Sequence, residues 1–323
     1  MFRTELTPSI SKEKIKTGNK IYLIGSCFAS NIGNLLKTYK FDVVLNPFGV
    51  IYNPHSIFKL LVNSLSAAEI DEKGLFENQA IYRHFDCHSD ISARSQDEFY
   101  HLYAQATSKT REHISKAEWI IISLGTSIVY EHQDYHKIVA NCHKLPGREF
   151  TQRMLSPEEI IQSFDTFYTK LKEINKNCKV ILTVSPVRHV KSTLEKNALS
   201  KAILRYAVST LSDRYARVMY FPSFEIMMDD LRDYRFYQPD MIHPNEVAIN
   251  YIWKKFMETY FDPETKEFIQ QWALILKAIG HKPFFPGSAT HQHFIKETIR
   301  KLKSFESRID IQEELVTLEN QLL

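Results

Sequence analysis

Residues 20–30 read Lys-Ile-Tyr-Leu-Ile-Gly-Ser-Cys-Phe-Ala-Ser, an apolar stretch that ends in a glycine and then changes its period. Before Gly25 the apolar residues are contiguous, as in a buried strand. After it Phe28, Ile32, Leu35, Leu36 and Tyr39 recur at three- and four-residue spacing, as on one face of a helix. A strand that turns directly into a helix puts the turn at the carboxyl edge of a sheet, where open α/β folds bind ligands. The turn also sits at the positive end of the helix dipole, which favours a thiolate or an oxyanion. Ser26 and Cys27 are therefore candidate nucleophiles. The plainer reading is a glycine turn followed by small residues that merely fit, since such joints are common in this fold type.

The same alternation recurs down the chain. Asp42–Leu45 reads as a short second strand, Trp119–Leu124 as a nearly continuous apolar run ending at Gly125, and Lys179–Val184 and Val218–Phe221 as two more strands. Uninterrupted apolar runs are expected of parallel strands buried on both faces. Helix starts are marked by their caps. Asn53-Pro54 opens a helix to about Leu65, and Ser95-Gln96-Asp97-Glu98 has the form of a capping box ahead of a helix to about Lys116. Ser156-Pro157-Glu158-Glu159 combines cap, proline at the first helical position and reciprocal glutamate. A helix from about Thr193 to Tyr215 precedes the last strand, and Pro244 is read as starting a helix to about Tyr260.

About five strands separated by helices predict an α/β fold in three layers, a doubly wound parallel sheet joined by right-handed crossovers. Residues 67–95 and 128–152 break the alternation and are expected to form hairpins or a flap at the loop edge, where insertions shape ligand sites. Residues 264–323 are helical in pattern, charged, and interrupted by Lys282-Pro283-Phe284-Phe285-Pro286-Gly287. They are expected to form a C-terminal helical appendage on a domain spanning residues 1–263.

Composition excludes several classes of function. The net charge of +3 is too small for a nucleic-acid footprint, and acidic and basic residues are interspersed. No apolar run approaches the roughly 20 residues of a membrane span, and Met1-Phe2-Arg3-Thr4-Glu5-Leu6 lacks the apolar core of a signal peptide. Cys27, Cys87, Cys142 and Cys178 are irregularly spaced with no CxxC pair, which together with these features predicts a cytoplasmic protein with reduced thiols. Neither GxGxxG nor GxxxxGK[ST] occurs. His132, His136, Cys142 and His143, and likewise His84, Asp86 and His88, lack a standard zinc spacing, so no metal and no cofactor are expected.

The second chemical motif is Asp240-Met241-Ile242-His243-Pro244-Asn245. An aspartate three residues before a histidine can bond its Nδ1, fix its tautomer and stabilise the imidazolium, leaving Nε2 to exchange a proton. Alone, Asp-x-x-His is more often an ordinary solvated loop. Following the last strand of a sheet whose first strand ends in a nucleophile turn, it becomes a candidate catalytic pair.

The two motifs together resemble the layout of the SGNH (GDSL-type) hydrolases, a Gly-Asp-Ser-like turn after the first strand and Asp-x-x-His before the last helix. Gly25-Ser26-Cys27-Phe28-Ala29 is similar to the name-giving motif of the GSCFA-domain family, which is grouped with that superfamily. Leu124-Gly125-Thr126-Ser127, the stretch from Val139 to Pro146, Val184-Ser185-Pro186-Val187-Arg188-His189 and Tyr234-Arg235-Phe236-Tyr237 resemble the same family, over roughly residues 20–260.

This resemblance implies a flavodoxin-like sheet of the SGNH-hydrolase type. Aligned on Gly-Asp-Ser, it puts Cys27 at the nucleophile position, with Ser26 as a second candidate, His243 as proton shuttle and Asp240 as its orienter. In that superfamily the oxyanion is held by the nucleophile amide, a glycine matched here by Gly49, and an asparagine that this chain lacks. Thr126 or Ser127 would replace it with a hydroxyl, or Asn46 or Asn141 would supply an amide. His143 in the expected flap, and Arg188 and His189 after the strand that ends at Ser185-Pro186, are further candidates for the pocket wall. The implied activity is an acyl esterase or O-acyltransferase acting through a covalent acyl-enzyme on an acylated carbohydrate or similar small ester, with an acyl-thioester donor as an alternative. The competing expectation is a non-catalytic carbohydrate-binding or scaffolding protein that keeps the fold.

Overall fold

A computed structural model describes residues 4–322; Met1, Phe2 and Arg3, the start of the segment read as lacking a signal peptide, lie outside the described residues. The chain enters the sheet at β1 (Lys20–Gly25) and turns into α1 (Cys27–Thr38). It continues through β2 (Asp42–Leu45), α2 (Pro54–Ser66), the hairpin β3 (Leu75–Asn78) and β4 (Ile81–His84), and α3 (Gln96–Lys116). β5 (Trp119–Leu124) is followed by β6 (Ile128–His132), β7 (Lys137–Val139) and β8 (Phe150–Met154), then α4 (Pro157–Ile174), β9 (Lys179–Val184) and α5 (Leu194–Arg214). β10 (Val218–Phe221), the short α6 (Ser223–Glu225) with a π turn over Ile226–Asp230, α7 (Glu246–Tyr260), α8 (Pro263–Ile279), α9 (Ala289–Lys303) and α10 (Gln312–Glu319) complete it.

Five strands form one parallel sheet in the order β10-β9-β5-β1-β2. Counting only these strands along the chain, the order is 2-1-3-4-5, a doubly wound arrangement whose direction reverses between β1 and β5. The crevice at the carboxyl ends of those two strands is where such sheets place ligands. Strand periodicity divides the core. Tyr22, Ile24, Ile120, Ile122, Val180 and Leu182 point to one face, under α2, α3, α4 and α5. Ile21, Leu23, Trp119, Ile121 and Ile181 point to the other, with α1 and α7. Both faces are buried, which is why the strands read as continuous apolar runs rather than alternating ones.

The C-terminal helices close the second face. Phe268, Ile269, Trp272, Ile275, Ile295, Leu302 and Leu318 are buried in the same cluster as the β1 and β5 side chains, and the Trp272 indole donates to the Thr38 carbonyl at 2.9 Å. Among the described residues no helix is long and apolar enough to cross a membrane.

Several local expectations are corrected. The segment at 128–154 is a three-stranded antiparallel sheet, order β7-β6-β8, because β8 returns to pair with β6 from Ile128↔Met154 to His132↔Phe150. Ser95 does accept from the Glu98 amide, but the Glu98 carboxylate reaches the Arg94 amide at 2.9 Å instead of that of Ser95, so the box is not reciprocal. Ser156 and Glu159 do form the full reciprocal pair. The helix expected from Pro244 starts at Glu246 and is capped by Asn245, whose side chain accepts from the Ala248 amide at 3.1 Å. Pro244 instead makes an antiparallel bridge with Tyr237, which holds the preceding loop closed.

Candidate functional site

The turn after β1 depends on Gly25. Its φ is +132°, and a Cβ there would lie 2.1 Å from the Ser123 carbonyl oxygen of β5, so no side chain fits. The Gly25 amide donates to Asn46 Oδ1 at 2.9 Å, and the Gly25 carbonyl accepts from the Ile51 amide at 3.1 Å. The segment leaving β2 is thereby drawn across the top of β1. It continues to Tyr52, whose carbonyl accepts from the amides of Gly125 at 2.7 Å and Thr126 at 3.2 Å. Tyr52 thus spans the point where the strand order reverses.

Ser26 and Cys27, adjacent in sequence, have different fates. Ser26 is buried and is the N-cap of α1: its hydroxyl accepts from the Phe28 amide at 3.2 Å and pairs with Ser123 Oγ at 2.9 Å. Cys27 is half-buried at the first helical position, and its Sγ lies 3.7 Å from the Tyr52 hydroxyl. The backbone N–H of a first helical residue has no partner within its helix and is available to an anion. Burial foremost, and then the charge and hydrogen bonding of Cys27, raise the Tyr52 phenol well above its usual range. The hydroxyl therefore stays protonated at neutral pH, a donor beside sulfur.

Ser26, Cys27, Tyr52, Gly125, Ser185, Val187, Arg188 and His189 line a small cavity of about 30 Å³. Its floor is tied down by a buried lysine. Lys201 of α5 donates to the carbonyls of Gly125 at 2.6 Å and Ser185 at 2.7 Å, linking the ends of β5 and β9. Burial pushes its pKa down to about 7. One residue earlier, Ser200 Oγ meets the hydroxyls of Thr126 at 3.0 Å and Ser127 at 3.1 Å and accepts from the Ser127 amide at 2.8 Å. His189 is anchored by its amide to Asn197 Oδ1 at 2.8 Å. The first half of α5 thus braces both loops.

The Asp240–His243 pair forms. Asp240 Oδ2 is 2.6 Å from His243 Nδ1, while Oδ1 accepts from the amides of Ile242 at 2.9 Å and His243 at 3.0 Å. The His243 amide foremost, then its ring, lowers the Asp240 pKa to about 2, so the carboxylate is ionised at neutral pH. Both side chains are exposed, at 42% for Asp240 and 40% for His243. Their loop packs on the cavity wall: the Arg188 guanidinium lies 4.4 Å above the Tyr237 ring and 5.4 Å from that of Tyr234. Among the described residues, the hydrogen-bond partner of Cys27 Sγ is Tyr52, and no bond joins it to His243.

The remaining expected site residues lie elsewhere. The Gly49 amide donates to the Asn46 carbonyl at 2.8 Å, and its φ of +75° leaves a hypothetical Cβ 2.3 Å from that of His88. Asn46 uses both ends of its amide, on Gly25 and on Ser30 Oγ at 3.0 Å. Thr126 and Ser127 are buried with Ser200. Asn141 accepts from the His143 amide at 2.8 Å. His143 Nε2 faces the His84 carbonyl at 2.9 Å and Nδ1 the Ser89 hydroxyl at 3.2 Å. A carbonyl only accepts, so Nε2 carries the proton. Burial lowers this ring to about 4, keeping it neutral. None of these six lines the Cys27 cavity, whereas Arg188 does.

His189 lines the cavity beside Arg188, as its place after the β9 strand predicts, whereas Tyr52 and Lys201 enter the site with no role expected from the sequence. A signal existed for Lys201: Asn197, Ser200 and Lys201 occupy the face of α5 that also carries Leu204, Val208 and Leu211, and polar residues at inward positions mark a built network. Tyr52 carries no such signal. A larger cavity of about 520 Å³, lined by Ser64, Tyr100, Tyr103 and Arg111 between α2 and α3, holds none of the candidate chemistry. Among the described residues no group of three or more His, Cys, Asp or Glu side chains could hold a metal ion.

No curated protein matches the chain. Residues 20–256 match the model of the GSCFA family, and residues 272–323 match that of the GSCFA domain protein, C-terminal domain. The first match takes in the Gly25 turn, the Cys27 cavity and the Asp240–His243 loop, and spans most of the sequence: the chain belongs to the GSCFA family.

Proposed function

We propose that this protein is an SGNH-type acyl esterase or O-acyltransferase in which Cys27 carries the acyl group as a thioester. The observation that supports it most is the half-buried thiol at the first position of α1, at the reversal of strand order, with the Tyr52 hydroxyl 3.7 Å from sulfur. Sulfur attacks the acyl carbonyl. The oxyanion that develops is met by the Cys27 amide and the Tyr52 hydroxyl, and each such donor is worth about 3–4 kcal/mol to the transition state. The bond to the leaving oxygen, or to sulfur of a thioester donor, then breaks with a proton delivered to it. In the second half a water or a sugar hydroxyl attacks the thioester. His243 takes its proton, held in one tautomer by the ionised Asp240, and the proton ends on the Cys27 sulfur as the S–C bond breaks. The substrate class is an O-acylated carbohydrate or similar small ester, an analogy drawn at the level of the fold. Its four cysteines, none in a disulfide, support a reducing compartment such as the cytoplasm.

The test is intact-mass detection of an acyl-enzyme after mixing with activated esters and acyl thioesters. The expected result is one acyl group, mapped to residue 27 and absent from Cys27→Ala. His243→Ala and Asp240→Asn should each slow turnover strongly, yet add little when combined with Cys27→Ala. Modest, additive losses would refute a shared proton path. A second reading, a carbohydrate-binding protein without turnover, is favoured by the 30 Å³ size of the cavity and by the engagement of Thr126 and Ser127 with Ser200. It predicts no acyl-enzyme in the parent and undiminished ligand affinity in all three variants.

A further inference from the structure

We infer that His189 is a second acid–base group of this site and takes the Cys27 thiol proton during acylation, leaving the incoming acceptor to the Asp240–His243 pair. The inference rests on Cys27 being the acyl carrier.

Cys27 and His189 line one cavity of about 30 Å³, with room for about one water. His189 Nε2 is buried and, among the described residues, has no hydrogen-bond partner. Buried polar atoms are almost always paired, so an orphaned ring nitrogen on a residue that lines the same cavity as a thiol calls for a proton donor. The backbone here is fixed at the end of β9 by the bond from the His189 amide to Asn197 at 2.8 Å. The ring's surroundings keep it neutral, and thus able to accept: burial is the main cause, followed by the positive charges of Lys201 and Lys191. Arg188, its neighbour in the chain, lines the same cavity. A transient imidazolium formed against a thiolate is compensated by that negative charge.

His243 is suited to the other half of the reaction. Its side chain is 40% exposed, on the loop whose Tyr237 packs against Arg188 of the cavity wall, and so is open to an acceptor hydroxyl from solvent. The protons balance. The Cys27 S–H proton passes to His189 Nε2 as the S–C bond forms, and from there to the leaving oxygen or sulfur as its bond to the acyl carbon breaks. The acceptor's O–H proton passes to His243 Nε2 and then to the Cys27 sulfur when the thioester is cleaved.

The experiment is the pH dependence of Cys27 alkylation by limiting iodoacetamide, read by peptide mapping, in the full-length parent, His189→Gln, His189→Asn and His243→Gln. Thermal melts identify the variants that fold. Loss of His189 is expected to slow alkylation of Cys27 about tenfold near pH 7 and move its profile to higher pH, with Cys142 labelling in the same samples unchanged. His243→Gln is expected to leave the alkylation rate within about twofold while slowing acceptor-dependent loss of a preloaded acyl group at least about tenfold. Superimposable profiles for the parent and both His189 variants overturn the inference, as does an equal slowing of alkylation by His243→Gln. A folded parent whose Cys27 is inert to alkylation overturns the underlying thiol reading instead, and is told apart because no variant then matters.

Discussion

Lys201 offers the sharpest test of how the floor of the cavity is held. Among the described residues its ammonium forms no ion pair; it donates to the carbonyls of Gly125 and Ser185 at 2.6 and 2.7 Å, and burial lowers it from 10.5 to about 7. The sign follows from proton counting. Between pH 7 and 10.5 the unfolded chain holds a proton on this lysine that the folded chain has largely released, so folding stability rises with pH across that window. Below pH 7 both states are charged and the slope vanishes. The steepest slope is about 1.4 kcal/mol per pH unit, which sums over the window to about 5 kcal/mol. Lys201→Met removes this dependence and strands two carbonyls, at a pH-independent cost of about 1–3 kcal/mol each. Urea unfolding of both proteins at pH steps from 6 to 10 isolates the effect, because tyrosines and other titrating groups are common to both and cancel in the difference. The stability of the parent minus that of the variant should climb with pH. Parallel curves, or a difference that shrinks as pH rises, would refute the account of Lys201 as an amine buried at the expense of its charge.

Two further outcomes follow from the packing. Gly25→Ala sets a Cβ 2.1 Å from the Ser123 oxygen at a φ of +132°, so it should destabilise by about 3 kcal/mol or more in urea unfolding, and a loss under 1 kcal/mol would mean the turn is not tied to β5. Trp272→Ala empties a fully buried indole site and frees the Thr38 carbonyl; it should cost about 3–5 kcal/mol yet leave the Cys27 alkylation rate of the folded protein unchanged, whereas a changed rate would tie the C-terminal helices to the site.

What could be read from the sequence is what the chain decides locally. Asp42–Leu45, Lys179–Val184 and Val218–Phe221 are strands within the bounds their apolar runs suggest, because a strand buried on both faces admits few polar residues. Asn53 and Ser156 cap the helices they precede, since a cap acts on amides two or three residues away. The Asp240–His243 bond is equally local, spanning three residues. The Gly25 turn was legible because glycine is scarce in this chain and stood where two periodicities met. α7 starts two residues after Pro244 because Pro244 and Asn245 are both good starters, and only the bridge from Pro244 to Tyr237 decides between them.

The tertiary structure decided which of the candidates meet. Strand order 2-1-3-4-5 brings Gly25 beside Ser123, so Ser26 is spent on capping and on Ser123 while Cys27 is left at the cavity. Lys201 reaches Gly125 across 76 residues, and Ser200 reaches Thr126 across 74, which removes the Thr126 hydroxyl from the cavity and fixes its floor. Tyr52 arrives at sulfur because the segment after β2 crosses above β1, and the His189 backbone is held beside the cavity by Asn197 while, among the described residues, its Nε2 has no hydrogen-bond partner. Hydrophobic period and capping are properties of a few consecutive residues, and a sequence displays them. The meeting of Cys27, Tyr52, His189 and Lys201 depends on the order in which strands pair, which no local stretch encodes and which is set by how two apolar faces are buried at once.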